Sequence, residues 1–194
     1  MTTGVFGGAF DPPHFGHLAL VRSALERFDF ERLLVVPAGD PPHKTVATPA
    51  EIRYHLAELA FADMPQVEIS RIELEPGGPR YTVDTLRLLR ERHDDLTLLL
   101  GADQFAGFRS WREPDAILEL ARLAVANRPD YEEEALSPVL AALAQPERVS
   151  FFAIPAHPVS SDEIRARVHD GLPIDELVPQ AVAEEVARLG LYLD

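Results

Sequence analysis

Cysteine is absent from this chain, and lysine nearly so. The first absence excludes disulfides, thiol nucleophiles and cysteine-ligated metals. Of the 18 basic residues, 17 are arginine and one, Lys44, is lysine. Positive charge is itself scarce, since 32 acidic residues leave a net charge of -14. Non-specific nucleic-acid binding neutralises phosphates with basic side chains, so this balance argues against a nucleic-acid partner. No apolar run approaches the roughly 20 residues of a membrane span. Nor does the N-terminus carry a basic stretch followed by an apolar one, so no membrane partner and no secretion signal are expected. A cytoplasmic location fits these absences.

What is present is an apolar content of 46% over 194 residues, enough for one domain spanning 1–194 with a full core. Five short, wholly apolar runs read as strands: Thr3 to Phe6, Leu33 to Val36, Leu96 to Leu100, Leu123 to Ala126 and Val149 to Ile154. Val67 to Leu74 alternates and reads as a sixth. Between them lie helical patterns. One runs from Gly16 to Phe28, a second opens at Thr48-Pro49 with Thr48 as cap, and a third is capped by Thr82 and reaches about Arg92. From about residue 160 the pattern is helical to the end. Apolar strands without alternation are buried on both faces, as in a parallel sheet covered by helices. The expected architecture is therefore a doubly wound α/β domain with a small helical C-terminal part.

In such a sheet, ligands bind beyond the carboxyl ends of the strands. Gly7-Gly8, Gly101-Ala102-Asp103, Asn127-Arg128 and Ser160-Ser161 all fall there. The opening run GGAFDPPHFGH places two glycines at a strand end and two histidines, His14 and His17, at a helix start. Glycine permits close backbone approach, and a helix N-terminus presents unpaired N–H groups that favour an anion. Phosphate contact is thus the preferred reading. Zinc is the rival, but no cysteine and no third ligand stand out; histidines merely facing water are the plain alternative. Other residues also carry two readings. Read by themselves, Asp103 fits a helix cap and the lone Trp111 fits packing; the ribose and ring-stacking readings enter only with the resemblance below. Arg128 contacts phosphate or pairs with an acid. Ser160 with Glu163 fits a capping box outright. Lys44, in Pro41-Pro42-His43-Lys44, is either a mobile point charge for a ligand or an ordinary surface lysine.

The run from Gly7 to Leu18 resembles the signature of the nucleotidylyltransferase superfamily, whose core is H-x-G-H. With Pro41-Pro42-His43-Lys44, Tyr81-Thr82-Val83-Asp84-Thr85, Gly101-Ala102-Asp103, Trp111 and Ser160-Ser161 followed by Arg165, it is similar to the bacterial nicotinate mononucleotide adenylyltransferases. That resemblance implies a Rossmann-like fold and transfer of the adenylyl group of ATP to nicotinate mononucleotide, giving nicotinate adenine dinucleotide and pyrophosphate in NAD biosynthesis. ATP and the mononucleotide are the implied partners, and a homo-oligomer is an open expectation. Magnesium is implied on the ATP phosphates, with no dedicated protein cage and no tightly bound organic cofactor. A phosphate monoester has a second pKa near 6, so the nucleophile needs no general base.

The same resemblance assigns roles to residues. His14, His17 and Lys44 are the implied catalytic set. Gly7, Gly8, Ala9, Phe10, Gly101, Asp103, Arg128, Ser160, Ser161 and Arg165 are expected at ATP. Lys44, Thr85, Asp103 and Trp111 are expected at the mononucleotide. Two positions depart from the family pattern: Asp162 stands where threonine is usual, and Arg112 where a second aromatic is frequent. The alternatives are a relative preferring nicotinamide mononucleotide, another H-x-G-H transferase such as the phosphopantetheine enzyme, and a nucleotide-binding sensor without turnover.

Overall fold

The computed structural model of the chain describes residues 2–41, 46, 48–127 and 136–193. Its strands are β1 (Thr2–Gly8), β2 (Phe30–Pro37), β3 (Val67–Ile69), β4 (Asp95–Gly101), β5 (Arg122–Asn127) and β6 (Val149–Ala153). They form one sheet in the order β3-β2-β1-β4-β5-β6, every neighbouring pair parallel. Sequence order reverses direction between β1 and β4, which is the crevice where doubly wound folds bind ligands.

The helices are α1 (Phe15–Arg27), α2 (Ala50–Phe61), α3 (Thr82–Arg90), α4 (Ala102–Ala106), α5 (Pro114–Leu120), α6 (Ser137–Ala141), α7 (Ser161–His169) and α8 (Gln180–Leu189). The continuous apolar runs arise because successive strand residues face opposite layers. Val5, Leu34, Val36, Leu98, Leu100 and Val125 pack under Leu86 of α3, Phe105 of α4 and Ile117 of α5. Their neighbours Phe6, Leu33, Val35, Leu99 and Ala124 pack on the other side, with Val21 of α1, Leu56 of α2 and Val186 of α8. Both faces are covered by buried apolar side chains, as expected for this class.

Three local expectations are corrected. β3 stops at Ile69 instead of reaching Leu74, because it is an edge strand paired only with β2 and the chain turns immediately, with Leu74 N–H donating to the Arg71 carbonyl at 2.8 Å. Thr48 does not cap α2: the cap position is Pro49, and the Thr48 carbonyl is occupied by Arg53. The cap of α3 is Tyr81, with Thr82 already in the helix. Ser160 does cap α7, its hydroxyl accepting from the Glu163 N–H at 3.1 Å.

Candidate active site

The turn between β1 and α1 is the centre of the site. Gly7, next to last in β1, has nothing within 4 Å of where a Cβ would lie, and at Gly101, closing the adjacent β4, only the Asp103 carboxylate comes as near as 4.0 Å. The protein's own packing therefore does not require glycine at Gly7 or Gly101, and both positions leave room for a ligand to approach the backbone. Gly8 is different: a Cβ there would press on the Phe10 ring at 3.0 Å. Phe10 is 1% exposed and held at φ 51°, a left-handed conformation that a bulky residue adopts only where its surroundings enforce it. Its ring meets the His17 imidazole edge-on at 5.0 Å between centroids.

His14 is the cap residue of α1 and is buried; His17 lies one turn into the helix. The two imidazoles stack with centroids 3.7 Å apart. The His14 backbone N–H donates to His17 Nδ1 at 3.2 Å. Because Nδ1 accepts, a neutral His17 ring carries its proton on Nε2, and that atom is a hydrogen-bond donor. Gly16 accommodates the His14 ring, since a Cβ there would approach it at 3.0 Å. The first turn of α1 holds no acidic residue, so the positive end of the helix dipole is undiminished at the site.

The same turn is tied down from three directions. Arg165 Nη1 donates to the Asp11 carbonyl at 2.7 Å, and the Ser161 hydroxyl to the Pro12 carbonyl at 3.0 Å. The Tyr192 hydroxyl donates to the Asp11 carboxylate at 2.7 Å. Arg53 Nη1 donates to the Ala9 carbonyl at 2.7 Å. The unexpected Asp162 is paired with Arg165, so its charge is neutralised on its own helix. Ser161 and Arg165 are thus brought to the turn as anchors of its backbone.

The remaining expected residues lie around the adjoining strand ends. Asp103 is in the first turn of α4, exposed, with Gly101 rather than Asp103 in the cap position. Thr85 is 3% exposed, its hydroxyl donating to Glu73 at 2.7 Å. Burial pushes the Glu73 carboxyl above the usual carboxylate range, against hydrogen bonds from Thr85 and the Gly39 N–H and the charge of Arg53. Trp111 packs at 5.5 Å from the Phe108 ring. The unexpected Arg112 covers the Tyr81 ring at 4.6 Å and pairs with Asp84 and Glu113. Lys44 and Arg128 lie outside the described residues.

Arg53, Glu73, Asp11 and Tyr192 were not singled out by the sequence reading. Only Arg53 leaves a visible sign there: it stands in the buried stripe of α2 with Leu56, Ala57, Ala60 and Phe61, a charge at an apolar position.

A family model described as cytidylyltransferase-like matches residues 5–167. A Thermus thermophilus protein named probable nicotinate-nucleotide adenylyltransferase is 41% identical over 195 residues, covering 99% of this chain and 100% of that one. A Tropheryma whipplei protein of the same name is 38% identical over 188 residues, covering 96% and 97%. The fold is similar to that of the Plasmodium falciparum nicotinic acid mononucleotide adenylyltransferase complexed with APC, with TM-score 0.80, 16% identity, and 98% of this chain and 96% of that one covered. Matched by that family model over residues 5–167, and alike to these relatives over nearly their full length, the chain belongs to the nicotinate-nucleotide adenylyltransferase family.

Proposed function

We propose that this protein transfers the adenylyl group of ATP to nicotinate mononucleotide, releasing pyrophosphate and forming nicotinate adenine dinucleotide. A single observation carries the reading: two stacked imidazoles, 3.7 Å apart, at the N-terminus of a helix that opens beside the sheet's point of reversal. The structural neighbour from Plasmodium falciparum is also known complexed with NaAD.

The chemistry needs no proton abstraction. The mononucleotide's 5′-phosphate oxygen attacks the α-phosphorus of ATP, and the bond from that phosphorus to the bridging oxygen of the leaving pyrophosphate breaks. Positioning and charge stabilisation are what remain for the protein. His17 Nε2, His14 and the N–H groups of the Gly7–Phe10 turn bind phosphate oxygens as charge shifts to the leaving group. Lys44 adds a positive charge, and Arg128 another. Ser160, Ser161 and Arg165 support the triphosphate from the start of α7. Gly101 and Asp103 receive a ribose, while Trp111 and Thr85 face the pyridine ring. Magnesium would come with the ATP, held on its phosphates, and would neutralise part of their charge. We read the chain as one cytoplasmic domain. Among the described residues no helix is long and apolar enough to cross a membrane.

The test measures pyrophosphate release with ATP, magnesium and either nicotinate or nicotinamide mononucleotide. Release much faster with the nicotinate form is expected. Equal rates would overturn the substrate assignment, and ATP uptake without release would leave a sensor.

A further inference from the structure

Arg53 belongs to none of the sequence motifs, yet at 1% exposure it is the most buried charged side chain among the described residues. A buried charge must have its donors satisfied. Here that is done by main-chain carbonyls: Nε donates to Thr48 at 3.0 Å, Nη1 to Ala9 at 2.7 Å and Nη2 to Gly39 at 3.1 Å. Asp11, Tyr192 and Glu73 add only longer-range attraction, against the burial that weakens the guanidinium's hold on its proton.

The three acceptors come from three segments: the turn after β1, the loop after β2 and the entrance to α2. Gly39 and Thr48 stand on either side of Pro41-Pro42-His43-Lys44 in the sequence. The Ala9 contact has a directional consequence. In a trans peptide the N–H points opposite to the C=O, so drawing the Ala9 carbonyl to Arg53 turns the Phe10 N–H the other way. Of the turn carbonyls held by side chains, Ala9, Asp11 and Pro12, only that of Ala9 shares its peptide unit with an N–H, because prolines follow the other two.

We propose that Arg53 is a positioning residue for adenylyl transfer: its planar fork aims the Phe10 N–H at the triphosphate and sets the spacing between the post-β1 and post-β2 loops. The proposal rests on the function proposed above. It depends on geometry, since a lysine keeps the charge but cannot hold three diverging acceptors.

The full-length protein and its R53K, G39A and double variants test it by pyrophosphate release, ATP calorimetry and circular dichroism. G39A disturbs the same contact from the other side, because its Cβ would lie 2.0 Å from the Glu73 carbonyl oxygen and must displace the segment. Folded R53K should bind ATP about tenfold more weakly, as expected for one misdirected donor to a charged oxygen. Its kcat should fall by a further factor of about ten, with KM for the mononucleotide within about threefold of wild type. G39A should repeat this pattern, and the double variant should lose less than the product of the two. A folded R53K with wild-type ATP affinity, or a loss that follows only the folded fraction, overturns the proposal. If R53K does not fold, unchanged ATP affinity in folded G39A overturns it equally. A wild-type protein that binds ATP but releases no pyrophosphate refutes the catalytic reading instead, and the calorimetric arm then still reads the positioning.

Discussion

At the scale of the residue, the site is a matter of which atoms carry protons. His17 presents Nε2–H because its other nitrogen accepts from the His14 backbone, an arrangement local to one helical turn. H17A should therefore lower pyrophosphate release by roughly 10³-fold, the size expected when a preorganised donor to developing charge is lost. Circular dichroism should show the fold intact, and H17Q, with a donor near the position of Nε2, should recover part of the rate. The histidine pair was legible in the sequence because spacing of three places both rings on one side of a helix start. Arg53 was not legible as a hub. Its partners are backbone carbonyls, which leave no trace in side-chain identity.

At the scale of the element, caps and edges decide where each piece begins and stops. The hydroxyl of Ser160 satisfies the Glu163 N–H, and S160A should cost about 1 kcal/mol of stability, read by urea denaturation. Ser161 and Arg165 on the same helix reach back to the turn after β1, so α7 is both a capped helix and a brace. The capping pattern could be read locally. The brace could not, since its acceptors lie 149 and 154 residues away in sequence. β3 shows the converse: the alternation through Leu74 was real as a pattern, but an edge with one partner and a following turn ended the strand at Ile69.

At the scale of the whole molecule, the last residues of the chain meet the first loop. Tyr192 donates to the carboxylate of Asp11 across 181 residues. Asp11 is 3% exposed, and burial pushes the Tyr192 phenol well above its usual range, so it remains a donor. Y192F should lower stability by about 1 kcal/mol, a shift of about 2–4 °C in Tm for a protein of this size, measured by thermal denaturation. Class, strand runs and the glycine–histidine motif after the first strand follow from the amino-acid sequence alone, because periodicity, turn residues and a compact motif are properties of neighbours along the chain. The order β3-β2-β1-β4-β5-β6, the three-way grip of Arg53 and the Tyr192–Asp11 closure were decided only in the folded state. They join residues whose meeting depends on how strands pair and layers stack, and hydrogen bonds to main-chain carbonyls can be assigned only after that geometry exists.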